Sequence, residues 1–321
     1  MKYAKNLLEV IGNTPLVRLN VVSKGLKPTI LVKLEYLNPG GSTKDRIGIS
    51  MIEDAEKKGL LKKGGTIVEP TSGNTGVGLA IAAAIKGYKV IFTMSEKMSL
   101  EKEMVLKAYG AEVVRAPADA EPDSPNQYIN VAKRIAKERN AFMPNQYFNL
   151  ANTLAHYKTT GPEIWRDTDG KITHYVAAMG TGGTISGPAK FLKEKNPKIK
   201  VIGVDPEGSL LHHYFYKTKG VAKAYKVEGP GEDFMPGAMD FSVIDEAITV
   251  SDKDAFLTGR ELVRKEGIFA GGSAGMAVFG ALQIAKKLTE KDIIVVPLPD
   301  SGKNYVSKMY NDTWMKENGF L

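Results

Sequence analysis

The chain has 321 residues, 43% of them apolar and 25% charged, with a formal net charge of +8. That suits a globular chain with room for two domains and substantial cores. Positive residues come in pairs such as Lys57-Lys58 and Lys62-Lys63 with acids between them, a balance that suits an anionic cofactor or substrate better than nucleic acid. Cysteine is absent, which excludes disulfides, Cys-ligated zinc, iron–sulfur clusters and thiol catalysis, and is compatible with a reducing, cytoplasmic setting. Residues 1–5 open no apolar leader, and the longest low-polarity run, 76–85, is too short to span a bilayer, so no membrane association is expected.

In chain order, Gly12-Asn13-Thr14-Pro15 is a turn into a short strand. A second strand over 29–35 leads to Asn38-Pro39-Gly40-Gly41-Ser42-Thr43-Lys44-Asp45-Arg46. Pro39 stops any helix arriving from that strand, the two glycines permit a tight bend, and Ser42 or Thr43 can cap a helix that starts at Lys44. A lysine there faces backbone N–H groups and the positive end of the helix dipole, which favour its nucleophilic amine form. Taken alone, it is also an ordinary solvated helix-start lysine. Strand and helix then alternate: strand 66–69, helix 76–86, strand 89–92, helix 99–108, strand 112–115, and a helix from Ser124-Pro125 to about 139. Short β-branched runs between helical patterns predict a parallel sheet.

A second set follows, with a helix over 151–165, strand 174–178, helix 185–194 and strand 200–204. The Gly- and Pro-rich stretch 207–245 reads as a long irregular excursion. Strand 247–250, helices 252–266 and 274–287, strand 293–297 and a terminal helix from Lys303 complete the pattern. The histidines show no metal-ligand spacing, His212-His213 reading as a loop pair, and no metal is expected.

Several glycine- or serine-rich stretches stand at strand-to-helix junctions, where open α/β sheets bind ligands. Thr71-Ser72-Gly73-Asn74-Thr75-Gly76 offers N–H groups and hydroxyls to a carboxylate. Gly180-Thr181-Gly182-Gly183-Thr184 has the donor density and small side chains that suit a phosphate. Each, alone, is also a tight turn, and neither is a Walker loop or a G-x-G-x-x-G fingerprint. Ser273 in Gly271-Gly272-Ser273-Ala274-Gly275 stands at another helix start. A lysine amine, a phosphate cradle, a carboxylate cradle and a serine donor are together the parts needed to hold pyridoxal 5'-phosphate and an amino acid.

From residue 11 to about 305 the sequence resembles the fold-type II pyridoxal-phosphate enzymes of the cysteine synthase and cystathionine β-synthase family. The resemblance implies two α/β domains, each an open twisted mostly parallel sheet flanked by helices, with the cofactor in the cleft between them. It sets the smaller domain at 37–149 and the larger, cofactor-binding one at 1–36 plus 150–321. It makes Lys44 the Schiff-base lysine and Thr71, Ser72, Gly73, Asn74 and Thr75 the substrate-carboxylate loop, Asn74 also meeting the cofactor's phenolic oxygen. Gln146 joins that loop, Gly180, Thr181, Gly182, Gly183 and Thr184 hold the phosphate, and Ser273 faces the pyridine nitrogen. A neutral hydroxyl there leaves the ring a weaker electron sink than a carboxylate would. That favours loss of a β-substituent, by way of an aminoacrylate, over transamination. The implied function is β-replacement at C3 of a serine- or cysteine-type amino acid by a sulfur or oxygen nucleophile, with sulfide release from cysteine included. β-Elimination of the dehydratase or desulfhydrase type, and a non-catalytic scaffold, stay open as alternatives. A homodimer is also implied.

The resemblance divides. Met98-Ser99-Leu100-Glu101-Lys102 and Gly161-Pro162-Glu163 look like cysteine synthase, whereas Ala155-His156-Tyr157, Asp205-Pro206-Glu207-Gly208-Ser209 and Pro299-Asp300-Ser301-Gly302 look like cystathionine β-synthase. Neither a haem segment nor regulatory domains are seen, so control of that sort is not expected. In Glu228-Gly229-Pro230-Gly231-Glu232-Asp233 the chain departs from the family, and Glu232 is a candidate acid/base at substrate C3, with Asp233 beside it and a solvated loop carboxylate as the plain alternative.

Overall fold

Apolar runs such as Ile293-Ile294-Val295-Val296 become interior strands, as expected for parallel sheets buried on both faces. The computed structural model describes the chain apart from Lys2, Ser72, Lys97, Ser99, Ala118, Asp119 and Pro122 and the Glu101 side chain. Two positions named above, Ser72 and Ser99, therefore lie outside the described residues. The elements are β1 Leu16–Arg18, β2 Thr29–Leu34, α1 Lys44–Lys57, β3 Thr66–Pro70, α2 Asn74–Lys86, β4 Lys89–Ser95, α3 Leu100–Ala108, β5 Glu112–Ala116 and α4 Tyr128–Glu138. They continue with α5 Leu150–Lys158, α6 Thr160–Asp167, β6 His174–Ala178, α7 Gly183–Lys195, β7 Lys200–Pro206, α8 Leu211–Tyr216, β8 Glu246–Val250, α9 Asp252–Glu266, α10 Gly272–Ala285, β9 Ile293–Leu298 and α11 Asp312–Glu317.

The chain divides into one unit of Met1–Ile11 with Asn38–Asn152 and another of Gly12–Leu37 with Thr153–Leu321. Residues 1–11 thus group with the first unit, whereas the resemblance places them in the larger domain. The first unit carries a three-stranded sheet in the order β3-β4-β5, parallel throughout. Its helices α1 and α2 approach closely: a Cβ at Gly48 would meet the backbone of Gly78, and one at Gly78 would meet that of Lys44 and Asp45. The second unit carries a six-stranded sheet in the order β1-β2-β9-β6-β7-β8, parallel except for the β1 edge. Between the central strands the ladder is short. β6 pairs with β9 only at His174↔Ile294 and Tyr175↔Val295. It ends before Pro297, which has no N–H to give, and the two strands run on unpaired toward their carboxyl ends.

Four expected elements differ. The helix expected from Ser124-Pro125 starts at Tyr128 instead: Ser124 is held in a turn with Gln127, and the Gln127 side chain accepts the Ile129 N–H as the cap. The helix expected over 151–165 is two helices, broken at Thr159 (φ −123°, ψ −69°), with Pro162 in the first turn of α6, where its missing N–H costs nothing. His212 and His213 lie in the short helix α8, not in a loop. The terminal segment is a 3-10 turn at Gly302–Tyr305 followed by α11, the turn being capped by Ser301.

Candidate functional site

In the first unit the 38–46 loop folds as its glycines dictate. Gly41 takes a left-handed conformation (φ +80°) and its N–H bonds to Asn38 C=O at 2.8 Å. A Cβ at Gly40 would strike the Asp45 carboxylate and Ile81. The Gly40 N–H donates to that buried carboxylate at 2.5 Å. Of the two proposed caps, Ser42 acts, its Oγ accepting the Lys44 N–H at 3.1 Å, whereas Thr43 makes no side-chain cap bond. Lys44 is half-buried at the first position of α1. Its carbonyl lies against Gly78, one turn into α2, so the close α1/α2 packing sets Lys44 beside the helix that Asn74 begins.

The 71–76 loop opens α2, a 13-residue helix, with Gly73 as a cap that makes no side-chain bond, and a helix start of this kind suits an anion. Thr71 is buried and its N–H bonds Thr93 C=O at 3.1 Å. Gln146 is joined to this loop by one bond, and it and its neighbour Asn145 are held by three more. Thr75 Oγ1 donates to Gln146 Oε1 at 2.6 Å, Asn152 Nδ2 donates to Gln146 C=O at 2.8 Å, and Glu69 accepts the N–H of Gln146 at 3.2 Å and of Asn145 at 2.8 Å. Asn145 bends the chain there with φ +53°. Glu69 is 1% exposed, and burial pushes its carboxyl up to about 7 against the relief of those two N–H donors. Nothing in the sequence marked Glu69 beyond its place at a strand end.

In the second unit the 180–184 loop follows β6 on the edge where β6 and β9 part. Gly182 (φ +99°) begins α7 as a cap without a side chain, and a Cβ on it would strike the Met239 backbone. Thr184 is held twice: the buried Tyr175 hydroxyl donates to its carbonyl at 2.6 Å, and its Oγ1 lies 3.3 Å from His156 Nε2. His156, fully buried, is fixed in turn by Thr160 Oγ1 at 2.8 Å from Nδ1. If Thr160 donates to Nδ1, the Nε2–H donates to Thr184 and leaves the threonine O–H free to donate to an anion. The sequence gives no sign of the roles of His156 and Tyr175; Tyr175 lies in a strand buried at three successive positions, so no alternation marks its ring.

Ser273 is buried in the first turn of α10 and forms no side-chain hydrogen bond to any described residue. The start of α10 is fixed by the segment after β9. Gly271 N–H bonds Asp300 C=O at 3.0 Å, Ala270 bridges Ser301, and Asp300 accepts the Tyr305 hydroxyl at 2.7 Å. Burial, then the Asp300 charge, pushes the Tyr305 hydroxyl well above its usual range.

Glu232 lies on a segment docked on the 180–184 loop. Gly231 N–H donates to Met179 C=O at 2.8 Å, and a Cβ at Gly180 would strike Gly229 C=O. Ser209 Oγ grips both backbone groups of Glu232, accepting its N–H at 3.0 Å and donating to its C=O at 3.1 Å. Tyr225 packs its hydroxyl on Gly231, and burial, then the Glu232 charge, push that hydroxyl upward. Asp233 is exposed and its carbonyl accepts the Tyr214 hydroxyl at 3.1 Å.

A parallel sheet whose central strands part toward glycine loops at their carboxyl ends defines the class: an α/β protein with ligand loops at a topological switch point. Residues 7–300 match the family profile described as pyridoxal-phosphate dependent enzyme, and the chain belongs to that family. It is similar to the cystathionine beta-synthases of Oryctolagus cuniculus (51% identity over all of this chain and 59% of the relative) and Saccharomyces cerevisiae (46% identity over 98% of this chain and 64% of the relative). The chain thus spans less than two thirds of the length of these curated relatives. Among solved structures it is similar to O-ureido-L-serine synthase, at 35% identity and a TM-score of 0.89, covering 98% of this chain and all of the other. Among the described residues no helix is long and apolar enough to cross a membrane.

The residues present fit pyridoxal phosphate. A capless, glycine-cleared helix start with a braced threonine suits its phosphate, Ser273 offers a buried hydroxyl with no side-chain hydrogen-bond partner among the described residues, and Lys44 is a half-buried residue at a helix start.

Proposed function

We propose that the chain catalyses β-replacement at C3 of a serine- or cysteine-type amino acid, with a sulfur or oxygen nucleophile, in sulfur amino-acid metabolism. When bound, pyridoxal phosphate supplies the electron sink that labilises the Cα proton and the C3 leaving group. Lys44 would hold the cofactor and, as a free amine, would move the Cα proton of the substrate. The N–H groups of the 180–184 loop and the Thr184 hydroxyl hold the phosphate. Ser273 accepts or donates at the ring nitrogen without placing a full charge there, and Asn74 meets the phenolic oxygen. The 71–76 loop and the Gln146 amide hold the substrate carboxylate, fixing the Cα–H bond toward Lys44.

The observation that carries the reading is the docking of residues 229–232 on the 180–184 loop, with Glu232 clamped by Ser209. In the proposed reaction Glu232 takes the proton from the incoming nucleophile. The similarity to cystathionine beta-synthases supports a sulfur amino-acid reaction. A homodimer in a cytosolic setting is the proposed form. The test is to incubate the purified holoenzyme with serine, O-acetylserine, O-phosphoserine and cysteine, each with sulfide or homocysteine, and to identify products by mass. A thioether or thiol amino acid is expected, and Glu232→Gln should lower its formation at least tenfold while amino acid still perturbs the cofactor spectrum. Pyruvate and ammonia as the products would replace this reading with β-elimination.

A further inference from the structure

Between Tyr216 and Val227 the sequence carries four lysines, Lys217, Lys219, Lys223 and Lys226, and no acid. The fold turns part of this stretch into the wall of a pocket. The pocket has a volume of about 430 Å³ and is lined in part by Gly208, Ser209, His213, Lys219, Gly220 and Lys223, with no acidic residue among the described residues of its lining. Ligand sites commonly run from about 300 to 1,000 Å³, so the space is that of a small metabolite and not of a single ion. Its frame is held by specific bonds. Lys223 N–H donates to Gly208 C=O at 2.9 Å, Thr218 N–H to His213 C=O at 3.0 Å, and His213 Nδ1 lies 2.9 Å from Thr218 Oγ1. A Cβ at Gly220 would strike the His213 ring, so ring and backbone are in contact. Of the two acids just before Gly208, the exposed Glu207 is not among the lining residues, and the buried Asp205 accepts the His212 N–H at 2.8 Å. Neither Lys219 nor Lys223 forms an ion pair with any described residue. Two lysines lining one cavity, neither of them ion-paired among the described residues, favour an anion there.

Ser209 ties this pocket to the residue proposed above as the acid/base. It is one of the residues lining the pocket, and its hydroxyl holds both backbone groups of Glu232. We propose that the pocket binds a small polyanionic metabolite, through carboxylate or phosphate groups on Lys219 and Lys223, and that its occupancy is passed to Glu232 through Ser209. The binding stands independently of the proposed reaction; the coupling rests on that reading.

The test uses the holoenzyme, whose phosphate loop is filled. Citrate and, separately, inorganic phosphate are titrated at constant ionic strength, followed by calorimetry and by β-replacement rate. Saturable binding at one site per chain is expected, the tighter of the two probes telling carboxylate from phosphate recognition. Lys219→Ala/Lys223→Ala should weaken it at least tenfold with turnover in the absence of either probe unchanged. Thr71→Ala, which alters the proposed amino-acid carboxylate loop, should leave it unchanged. Saturation should alter turnover at least twofold, and Ser209→Ala should abolish that response while the probe still binds. Binding of neither anion, binding that survives the double lysine variant, or binding lost on Thr71→Ala overturns the pocket. Binding without any effect on turnover overturns the coupling. If the product assay finds no β-replacement, the proposed reaction falls and calorimetry still decides the pocket.

Discussion

Thr75 Oγ1 donates to Gln146 Oε1 at 2.6 Å, joining residues 71 positions apart in the chain. The bond fixes the amide's orientation: with its oxygen engaged, Gln146 presents its NH₂ group as a donor. A donor at the edge of a capless helix start suits an amino-acid carboxylate, and hydrogen bonds to charged groups are worth about 1.5–3 kcal/mol. Gln146→Glu replaces that donor by a negative charge. We expect KM for the amino acid to rise on the order of ten- to a hundredfold, with the cofactor spectrum of the resting enzyme unchanged. Steady-state kinetics with serine and absorbance of the substrate-free protein check both halves.

The carboxyl of Glu69 has a direct consequence for stability against pH. Its ordinary value is 4.5 and the folded protein raises it to about 7. Between those values the folded chain keeps a proton that the unfolded chain has released, so stability falls as pH rises through this window and is lowest above it. For a fully buried group a shift of this size corresponds to at most about 3 kcal/mol. Urea midpoints of the wild type should therefore drop between pH 4.5 and pH 7.5 relative to those of Glu69→Gln, whose side chain does not titrate. Parallel pH profiles for the two proteins would show that Glu69 keeps its ordinary value.

The sequence made much of this fold legible because its signals were local. Asp252–Glu266 follows from Ser251 before an acidic first turn and Gly267 after the last, and the strands of both sheets follow from short β-branched runs. What it hid depends on distance along the chain. The tie from Glu69 to Asn145 and Gln146, and that from Ser209 to Glu232, join segments whose approach no spacing rule reports. The break at Thr159 was hidden because a helical pattern continues on both sides of it. The stretch around 217–226 reads as an irregular excursion, and only folding brings Lys219 and Lys223 to the wall of one pocket.

Lys33 is fully buried in β2, 2.8 Å from Glu163 Oε2 and donating to Thr14 C=O at 2.8 Å. Thr14 in turn donates to the buried Glu35 at 2.6 Å. Removing one partner of a buried pair leaves an uncompensated charge, a loss of about 3–5 kcal/mol, whereas replacing both by apolar groups is often neutral. Glu163→Ala should accordingly lower the thermal midpoint by several degrees, and Lys33→Met/Glu163→Leu should recover most of it. Calorimetry of the three proteins decides; a double variant as unstable as the single one would show that the pair is held by more than its own charges.

His156 bridges Thr160 on α6 to Thr184 at the start of α7, and both of its ring nitrogens are engaged. Glu163 lies in the same helix as Thr160, so the ion pair with Lys33 anchors the element that orients the imidazole. The two side-chain amides that can replace a histidine reach different nitrogens. Asn places its amide near the Nδ1 position and keeps the Thr160 contact, while Gln reaches toward Nε2 and keeps the contact to Thr184. If the imidazole serves to aim the Thr184 hydroxyl at a phosphate, Gln should retain function better than Asn. We expect His156→Asn to weaken pyridoxal phosphate binding by about five- to tenfold, the loss of roughly one hydrogen bond, and His156→Gln to weaken it less. Binding of pyridoxal, which has no phosphate, should be the same in all three proteins. Titration of cofactor-free protein, followed by absorbance, gives each constant; equal losses for the two cofactor forms would mean that His156 supports the fold around α6 and α7 and not the aim of Thr184.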